Sequence, residues 1–464
     1  MLFSDKQALL KQILAVSSLN FGQFNIGLTL GYSAVSIPQL RTELHTTESE
    51  IAIIASCICI GQIIGSIFSA FISHRFGRKL NMIVSSLFLI PGWSLIYWGN
   101  GVYWIIIGRI GTGIGCGIEG SIHSLYVCEI VSTKRRGPFA SSGNLIIALG
   151  VVGIYLIGSI WTWRTSALVC GISSLLSLLA QCFLPESPYW LKQNQKMDKA
   201  ENMLHQLGIT LEEFESRNTP KQEVKASLLK RCLSYRFLKP LGILIFAFWT
   251  QSWCGFICIL SYAVTIMNES GVQLNEYHAA LTVGVVHLLA SGLGIYGLHQ
   301  FKRRTLLLTS TALCALLSLC LFLEKHLNTK NSWIPYILIL AFILVYANGL
   351  GSIPWVLLGE LFPVDVSAFG VGLTTCVAYG FMFLAIQSFP WMKRLFGLSI
   401  IFLIYGIFGS FGGSILYFLV PETKGLHLDE IEEMLNSKKD KIKNDSEVVD
   451  TISTGKVNIA FEDA

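Results

Sequence analysis

About twelve apolar runs, each near the roughly 20 residues that cross a bilayer as a helix, set the first constraint on this chain. They fall at approximately 13–35, 51–73, 80–98, 102–127, 139–160, 165–184, 240–265, 277–298, 305–323, 334–358, 366–390 and 397–420. Lipid offers no partner to backbone N–H and C=O groups, so such runs must be helices that satisfy their own backbone. Composition agrees, with 52% hydrophobic and 14% charged residues, where a soluble domain carries about 25% charge. A soluble enzyme, a disordered chain and a nucleic-acid binder built on a basic face are excluded. The net charge of +5 is too small to point to a polyanionic partner. Most cysteines, such as Cys57, Cys59, Cys170, Cys314 and Cys376, lie inside apolar runs, and Cys254 and Cys258 have no His or Cys at ligand distance. They read as small buried hydrophobes rather than disulfides or metal ligands, so no metal and no cofactor is expected. No cleavable signal peptide is evident, because the first apolar run leads straight into a long span.

The expected architecture is an all-α membrane protein of twelve transmembrane helices in two pseudo-symmetric six-helix bundles. Residues 1–185 form the first bundle, 186–239 a linker of short cytoplasmic helices, 240–421 the second bundle and 422–464 a disordered cytoplasmic tail. The symmetry is written in the sequence. His74-Arg75-Phe76-Gly77-Arg78-Lys79 matches His299-Gln300-Phe301-Lys302-Arg303-Arg304. Glu129 matches Glu360 at the ends of spans 4 and 10, and Pro185-Glu186-Ser187 matches Pro421-Glu422-Thr423 after spans 6 and 12. Three signals in the same order at a nearly constant offset imply parallel repeats around a central path. The linker repeats Leu204, Leu207 and Leu211 at helical spacing among charges, which suits either a latch between bundles or a solvated connection.

Orientation follows from Lys and Arg. Arg75, Arg78 and Lys79, then Lys134, Arg135 and Arg136, then Lys302, Arg303 and Arg304 all share one side when both termini are cytoplasmic. The other side carries Trp98, Trp104, Trp161, Trp163, Trp333 and Trp391, an aromatic belt, and a sequon at Asn268-Glu269-Ser270. Asp5 with Leu9-Leu10 has the letters of an acidic dileucine signal, which leaves an endosomal membrane open beside the plasma membrane.

Ionisable residues at membrane depth are functional candidates. Glu119 and His123 share one face of span 4 at i, i+4 spacing, with Arg109 higher on the same helix. They form either a satisfied neutral pair or a site for substrate or proton handling. His287 reads as a packed core histidine. Gly115-Cys116-Gly117-Ile118-Glu119-Gly120 has the letters of a dinucleotide fingerprint but follows no strand, so it is rejected. Its glycines serve close helix packing instead.

The motif set resembles the sugar porters of the major facilitator superfamily over nearly the whole chain, and among them most the insect facilitated trehalose transporters. The matching residues are Arg75-Phe76-Gly77-Arg78-Lys79, Gly108-Arg109, Tyr126-Val127-Cys128-Glu129-Ile130, Arg136-Gly137, Pro185-Glu186-Ser187-Pro188, Gln251, Gly255, Pro354-Trp355, Glu360-Leu361-Phe362-Pro363 and Pro421-Glu422-Thr423-Lys424-Gly425. The resemblance implies transport rather than catalysis, with no catalytic residues. The partners it implies are a small neutral solute such as trehalose or a hexose and the lipid bilayer, with a monomer as the default state. It implies a cytoplasmic gate in which Arg78, Glu129, Arg136 and Glu186 make one cluster and Arg303, Glu360 and Glu422 the other. Substrate contact falls to Asn144, Gln251, Ser252 and Trp355.

This sequence departs from the family in several places. His74 and His299 replace acidic residues, a change that would make the gate sensitive to cytoplasmic pH. Lys302 replaces Gly, and Ser367 replaces a basic residue, so Glu360 is expected to lack its usual partner. Asn144 stands for Gln and Ser252 for a second Gln. Ile257 stands for Asn, and Ala378 aligns with a further Asn. Ser33, after Gly31-Tyr32, stands where proton-coupled members carry Asp, which favours uniport. The depleted amides and the unpaired Glu360 keep open a non-transporting solute sensor, and Glu119 with His123 keep open a proton-coupled porter of a different solute.

Overall fold

The computed structural model describes residues 2–132, 136–211, 214, 234–269, 275–327, 333–362, 366–424 and 434. Six long helices build the first bundle: α1 (Leu2–Glu43), α2 (Glu48–Phe76), α3 (Arg78–Trp98), α4 (Val102–Ile130), α5 (Arg136–Ile160) and α6 (Trp163–Gln181). Two short helices follow, α7 (Pro188–Gln193) and α8 (Met197–Leu207). The second bundle comprises α9 (Tyr235–Trp253), α10 (Phe256–Ser261), α11 (Ala263–Glu269), α12 (Glu276–Gln300), α13 (Arg303–Leu327), α14 (Trp333–Asn348), α15 (Ile353–Glu360) and α16 (Ser367–Leu419).

Ten described helices are long and apolar enough to cross a membrane, where the sequence predicts twelve spans. The difference has two physical causes. Span 7 is cut into α9, α10 and α11 at Cys254–Gly255 and Tyr262, so no piece is both long and apolar enough alone. Spans 11 and 12 run together as α16, turned only at Gly397, where φ is 74°. Span 10 is also broken, between Asn348 and Ile353.

Within the first bundle α2 packs on α4, α1 on α5, and α3 on α4 and α6. Backbone meets backbone at the α2–α4 crossing: a Cβ on Gly113 would lie 2.3 Å from the Ile58 carbonyl. That approach is the small-residue packing used where lipid removes the hydrophobic drive between helices. Between bundles, α2 packs on α16, α5 on α12, and α1 on α10 and α11. Thr47 opens α2 with a capping box, its hydroxyl accepting from Glu50 N at 3.3 Å and Glu50 Oε2 accepting from Thr47 N at 2.8 Å. That reciprocal pair satisfies two of the orphan donors at a helix start.

The 186–239 segment is described only in part. Its α8 buries Leu204 and Leu207 in one apolar cluster with Ala15, Val16 and Leu19 of α1 and Ile122, Tyr126 and Val127 of α4. Gln12 Nε2 donates to the Leu207 carbonyl at 2.6 Å, fastening this part of the segment to the first bundle. Leu211 is exposed. Nearly all of the 422–464 tail, the side chain of Asp5 and most of the sequon loop lie outside the described residues. The aromatic belt needs one correction. Trp98, Trp104, Trp161, Trp333 and Trp391 are exposed, but Trp163 is buried, its Nε1 donating to Glu43 Oε2 at 2.7 Å.

Candidate functional site

Two charged clusters sit at the basic end, one per bundle, and they repeat each other residue for residue. In the first, Arg78 grips Glu129 at two points, Nε to Oε2 at 3.0 Å and Nη2 to Oε1 at 2.9 Å. Arg78 Nη1 also donates to the Ser73 carbonyl at 3.0 Å. Glu186 Oε1 accepts from the backbone N–H groups of Arg78 at 2.9 Å and Lys79 at 3.4 Å. The carboxylate thereby caps the N-terminus of α3, where unpaired N–H groups and the helix dipole favour negative charge. Gly77 makes room for it: φ is 99°, and a Cβ there would stand 2.4 Å from Glu186 Oε2.

In the second cluster Arg303 Nη2 meets Glu360 Oε1 at 2.7 Å, and Thr423 Oγ1 donates to Glu360 Oε2 at 2.7 Å. Glu422 caps α13 through the N–H groups of Arg303 at 3.1 Å and Arg304 at 3.2 Å. The expectation that Glu360 lacks a partner is therefore corrected. The arginine of its own bundle supplies the charge, and Thr423, which no sequence signal marked, supplies a hydroxyl. Lys302 holds the Gly77 position without strain, since the described non-glycine residues with positive φ are His45 and Gln195. The pairs Arg78–Glu129 and Arg303–Glu360 each lie inside one bundle rather than across the seam. The side chains of Arg136, Ser367 and His299 lie outside the described residues, while that of His74 is exposed.

Three of the four candidate substrate residues, Gln251, Ser252 and Trp355, lie beside the breaks in spans 7 and 10, while Asn144 lies on α5. A broken helix leaves carbonyls without intrahelical partners, and at membrane depth these need another donor. Gln251 supplies it, donating Nε2 to Leu350 O at 2.8 Å and Gly351 O at 2.9 Å. Its amide hydrogens are thus committed to backbone. Trp355 is half-buried and meets Phe248 edge-on with centroids 4.8 Å apart. Tyr379 lies 6.3 Å from Trp355, and its hydroxyl would be 3.2 Å from a Cβ on Gly120 of the opposite bundle. Trp355 is therefore close to the seam. Ser252 is buried with no partner on its Oγ. Asn144 is exposed, and Ile257 and Ala378 are buried. His287 is half-buried and 5.2 Å from the Phe256 ring, its buried Nδ1 unpartnered.

Polar contacts between the bundles occur from the tryptophan-rich end to mid-depth. Ser56 Oγ donates to Gln387 Oε1 at 2.6 Å, and the Tyr155 hydroxyl to Leu260 O at 2.6 Å.

Three ionisable groups are buried in the first bundle. Arg109 donates Nη1 to Thr29 O at 2.8 Å and Nη2 to Ser33 Oγ at 2.6 Å, with its guanidinium 5.7 Å from the Tyr32 ring centre. Glu119 and His123 do not pair with each other, which removes the neutral pair as a reading. Glu119 is hydrogen-bonded to Ser85 Oγ and accepts from Gln181 Nε2 at 3.2 and 3.3 Å. His123 Nε2 meets Asn20 Oδ1 at 3.1 Å. Sharing a helix face did not bring the two side chains together, because α3, α6 and α1 offered each a nearer partner. Sequence reasoning also missed Tyr126, whose buried hydroxyl donates to the Pro185 carbonyl. A tyrosine placed three residues before Glu129 was visible as a motif letter, but its role as a tie between spans 4 and 6 was not.

The two repeated bundles, with broken helices meeting at a central seam, define a multi-pass membrane transporter of the major facilitator fold. The chain belongs to the family described as Sugar (and other) transporter, whose model matches residues 11–435. It is similar to the Arabidopsis thaliana protein "Sugar transporter ERD6-like 18", 28% identical over 91% of this chain and 90% of that protein. It is also similar to "Sugar transporter ERD6-like 17" from the same plant, 29% identical over 89% of this chain and 90% of the relative. Among solved structures, the inward open conformation of the xylose transporter XylE from E. coli superposes with a TM-score of 0.75 at 21% identity, covering 90% of this chain and 98% of that one. The proton:xylose symporter XylE bound to 6-bromo-6-deoxy-D-glucose gives a TM-score of 0.76 at 22% identity, covering 91% and 99%. At that identity the structures speak for the fold.

Proposed function

We propose that the chain is a facilitative carrier that moves a small neutral solute, a sugar such as trehalose or a hexose, by alternating access. The observation that carries this reading is the meeting of an amide and an aromatic face, Gln251 and Trp355, at helix breaks beside the seam. Sugars need hydrogen-bonding groups together with an apolar face for the ring. Asn144 and Ser252 complete the substrate contacts. The sugar transport named for the plant relatives supports the substrate class, and the trehalose assignment rests on the motif resemblance.

The moving bodies are residues 1–185 and 240–421, joined by 186–239. Arg78, Glu129, Arg136, Glu186, Arg303, Glu360 and Glu422 form the gate at the basic end. Arg78, Glu129, Glu186, Arg303, Glu360 and Glu422 hold the bundles' inner rims in shape here, and the gate residues exchange partners across the seam when that end closes. The basic end faces the cytoplasm, with both termini there, in the plasma membrane. A sensor reading drew on an unpaired Glu360, and the Arg303 and Thr423 contacts remove that support.

The test is tracer uptake of trehalose and glucose into oocytes with surface expression confirmed. Saturable uptake of either, weakened by Trp355→Ala, is expected. Absence of both, with protein at the surface, sinks the sugar assignment.

A further inference from the structure

Glu119 lies fully buried within the first bundle, outside the charged clusters. Each element packed around its carboxylate contributes an uncharged group. Helix α1 contributes Gly22, where a Cβ would stand 1.7 Å from Oε1, so nothing larger fits. Helix α3 contributes Ser85 and α6 contributes Gln181. Gln181 is itself held by Ser86, whose hydroxyl donates to its Oε1 at 2.8 Å, and its Nε2 also donates to Ser177 Oγ at 3.2 Å. Helix α2 brings Ser66 and Ser69 to the Gly117 and Ile118 carbonyls, next to Glu119 along α4. On α4 itself the titratable neighbours are Cys116 and His123, about one turn to either side. No Lys or Arg is among the described contacts of this carboxylate.

A count of hydrogens at Ser85 favours one state. Ser85 Oγ touches both the Met82 carbonyl, at 2.7 Å, and Glu119 Oε2. A serine hydroxyl has one hydrogen to give, and a carbonyl has none. Both contacts are hydrogen bonds at the same time only when a second hydrogen sits on Glu119 and is donated to Ser85. The alternative, an ionised carboxylate with no cation beside it, carries the full desolvation cost of a buried charge.

We propose that Glu119 is a proton-binding site, a carboxylic acid in this conformation that gives up its proton when the packing around it changes. His123, on the next turn toward the basic end, is the nearest acceptor group along α4. Its ring meets Asn20 at 3.1 Å, and Asn20 Nδ2 in turn donates to Ser142 Oγ at 2.8 Å on α5. His123 and Asn20 lie in the first bundle, apart from Gln251, Ser252 and Trp355 of the second. The site stands apart from the transport reading, and its consequence, pH-dependent transport, rests on that reading.

The experiment uses the full chain, purified and reconstituted into lipid vesicles. Infrared difference spectra are recorded across a pH titration, with sugar uptake measured in parallel. The wild type is expected to show the C=O stretch of a protonated carboxylic acid that bleaches as pH rises and is missing from Glu119→Gln. Glutamine keeps the shape and the hydrogen bonds to Ser85 and Gln181, so the variant folds. Ser85→Ala serves as a second probe, because loss of the hydroxyl contact must move the same band. A band that persists in Glu119→Gln, that ignores Ser85→Ala, or that never titrates overturns the proposal. These spectra report on the proton even where no sugar is carried. Where uptake is present, its pH dependence flattens in Glu119→Gln, and an unchanged profile overturns the link to transport alone.

Discussion

Arg78 and Glu129 form a two-point ion pair in which each side chain is only 9% exposed. Their counterparts Arg303 and Glu360 meet at one point, with Arg303 Nε left without a partner, at 21% and 23% exposure. Burial decides how much each pair matters. Removing one partner of a buried pair strands a charge and costs about 3–5 kcal/mol, whereas an exposed pair contributes ~1 kcal/mol or less. Glu129→Gln is therefore expected to lower the thermal midpoint of the detergent-solubilised protein clearly more than Glu360→Gln. Equal shifts would show that the two clusters are energetically equivalent despite their burial.

The turn before α3 separates two otherwise matched positions. At Gly77 the backbone conformation is one that essentially only glycine adopts, and strain of about 1–3 kcal/mol is expected for any other residue there. Gly77→Ala also pushes a methyl group into Glu186. Lys302→Gly relieves nothing, because its backbone is ordinary. Melting curves of the two variants should diverge, with Gly77→Ala destabilised and Lys302→Gly near wild type.

Gln251 and Trp355 predict different signatures. Gln251→Ala strips two carbonyls at the helix break of their donor, at about 1–3 kcal/mol for each buried group left unsatisfied. Stability and uptake should fall together. Trp355→Ala removes an aromatic face without orphaning a polar group. Its apparent affinity for sugar should weaken while the melting temperature moves less. Uptake kinetics beside thermal shift for both variants check the split.

Ser56 and Gln387 tie α2 to α16 near the tryptophan-rich end. Gln387→Ala removes one net hydrogen bond of ~1 kcal/mol, which corresponds to an about fivefold change in the population open at that end. A cysteine introduced at Ile37, buried in this structure, should react faster with a membrane-impermeant thiol reagent in the Gln387→Ala background. An unchanged rate would mean the bond does not hold the seam.

Much of this molecule is legible in the order of its residues. The spans follow from hydropathy, and the clusters follow from acids and arginines that recur at matched places in both halves. What escapes reading has a common origin. A Gln in an apolar run looks like a substrate ligand, yet Gln251 is partly spent on carbonyls freed at a break in another span, which Gly349, Gly351 and Pro354 mark without naming the donor that serves it. Glu119 and His123 share a helix face by periodicity, but their partners, Ser85, Gln181 and Asn20, come from three other helices. Trp163 has the position of a belt residue, and only Glu43 on α1 draws it inward. In each case tertiary neighbours decided between readings that the local sequence left equal.

The acids after spans 6 and 12 carry one more meaning. Glu186 and Glu422 tie the last span of each bundle to the start of its third helix through backbone N–H groups. Because they bind main chain rather than side chain, their hold does not depend on which residue sits opposite. Each half is thereby closed on itself like a hoop with its own clasp. A hoop can tilt without loosening, so the resistance to motion is concentrated at the seam, where a few hydroxyl and amide contacts are all that must let go.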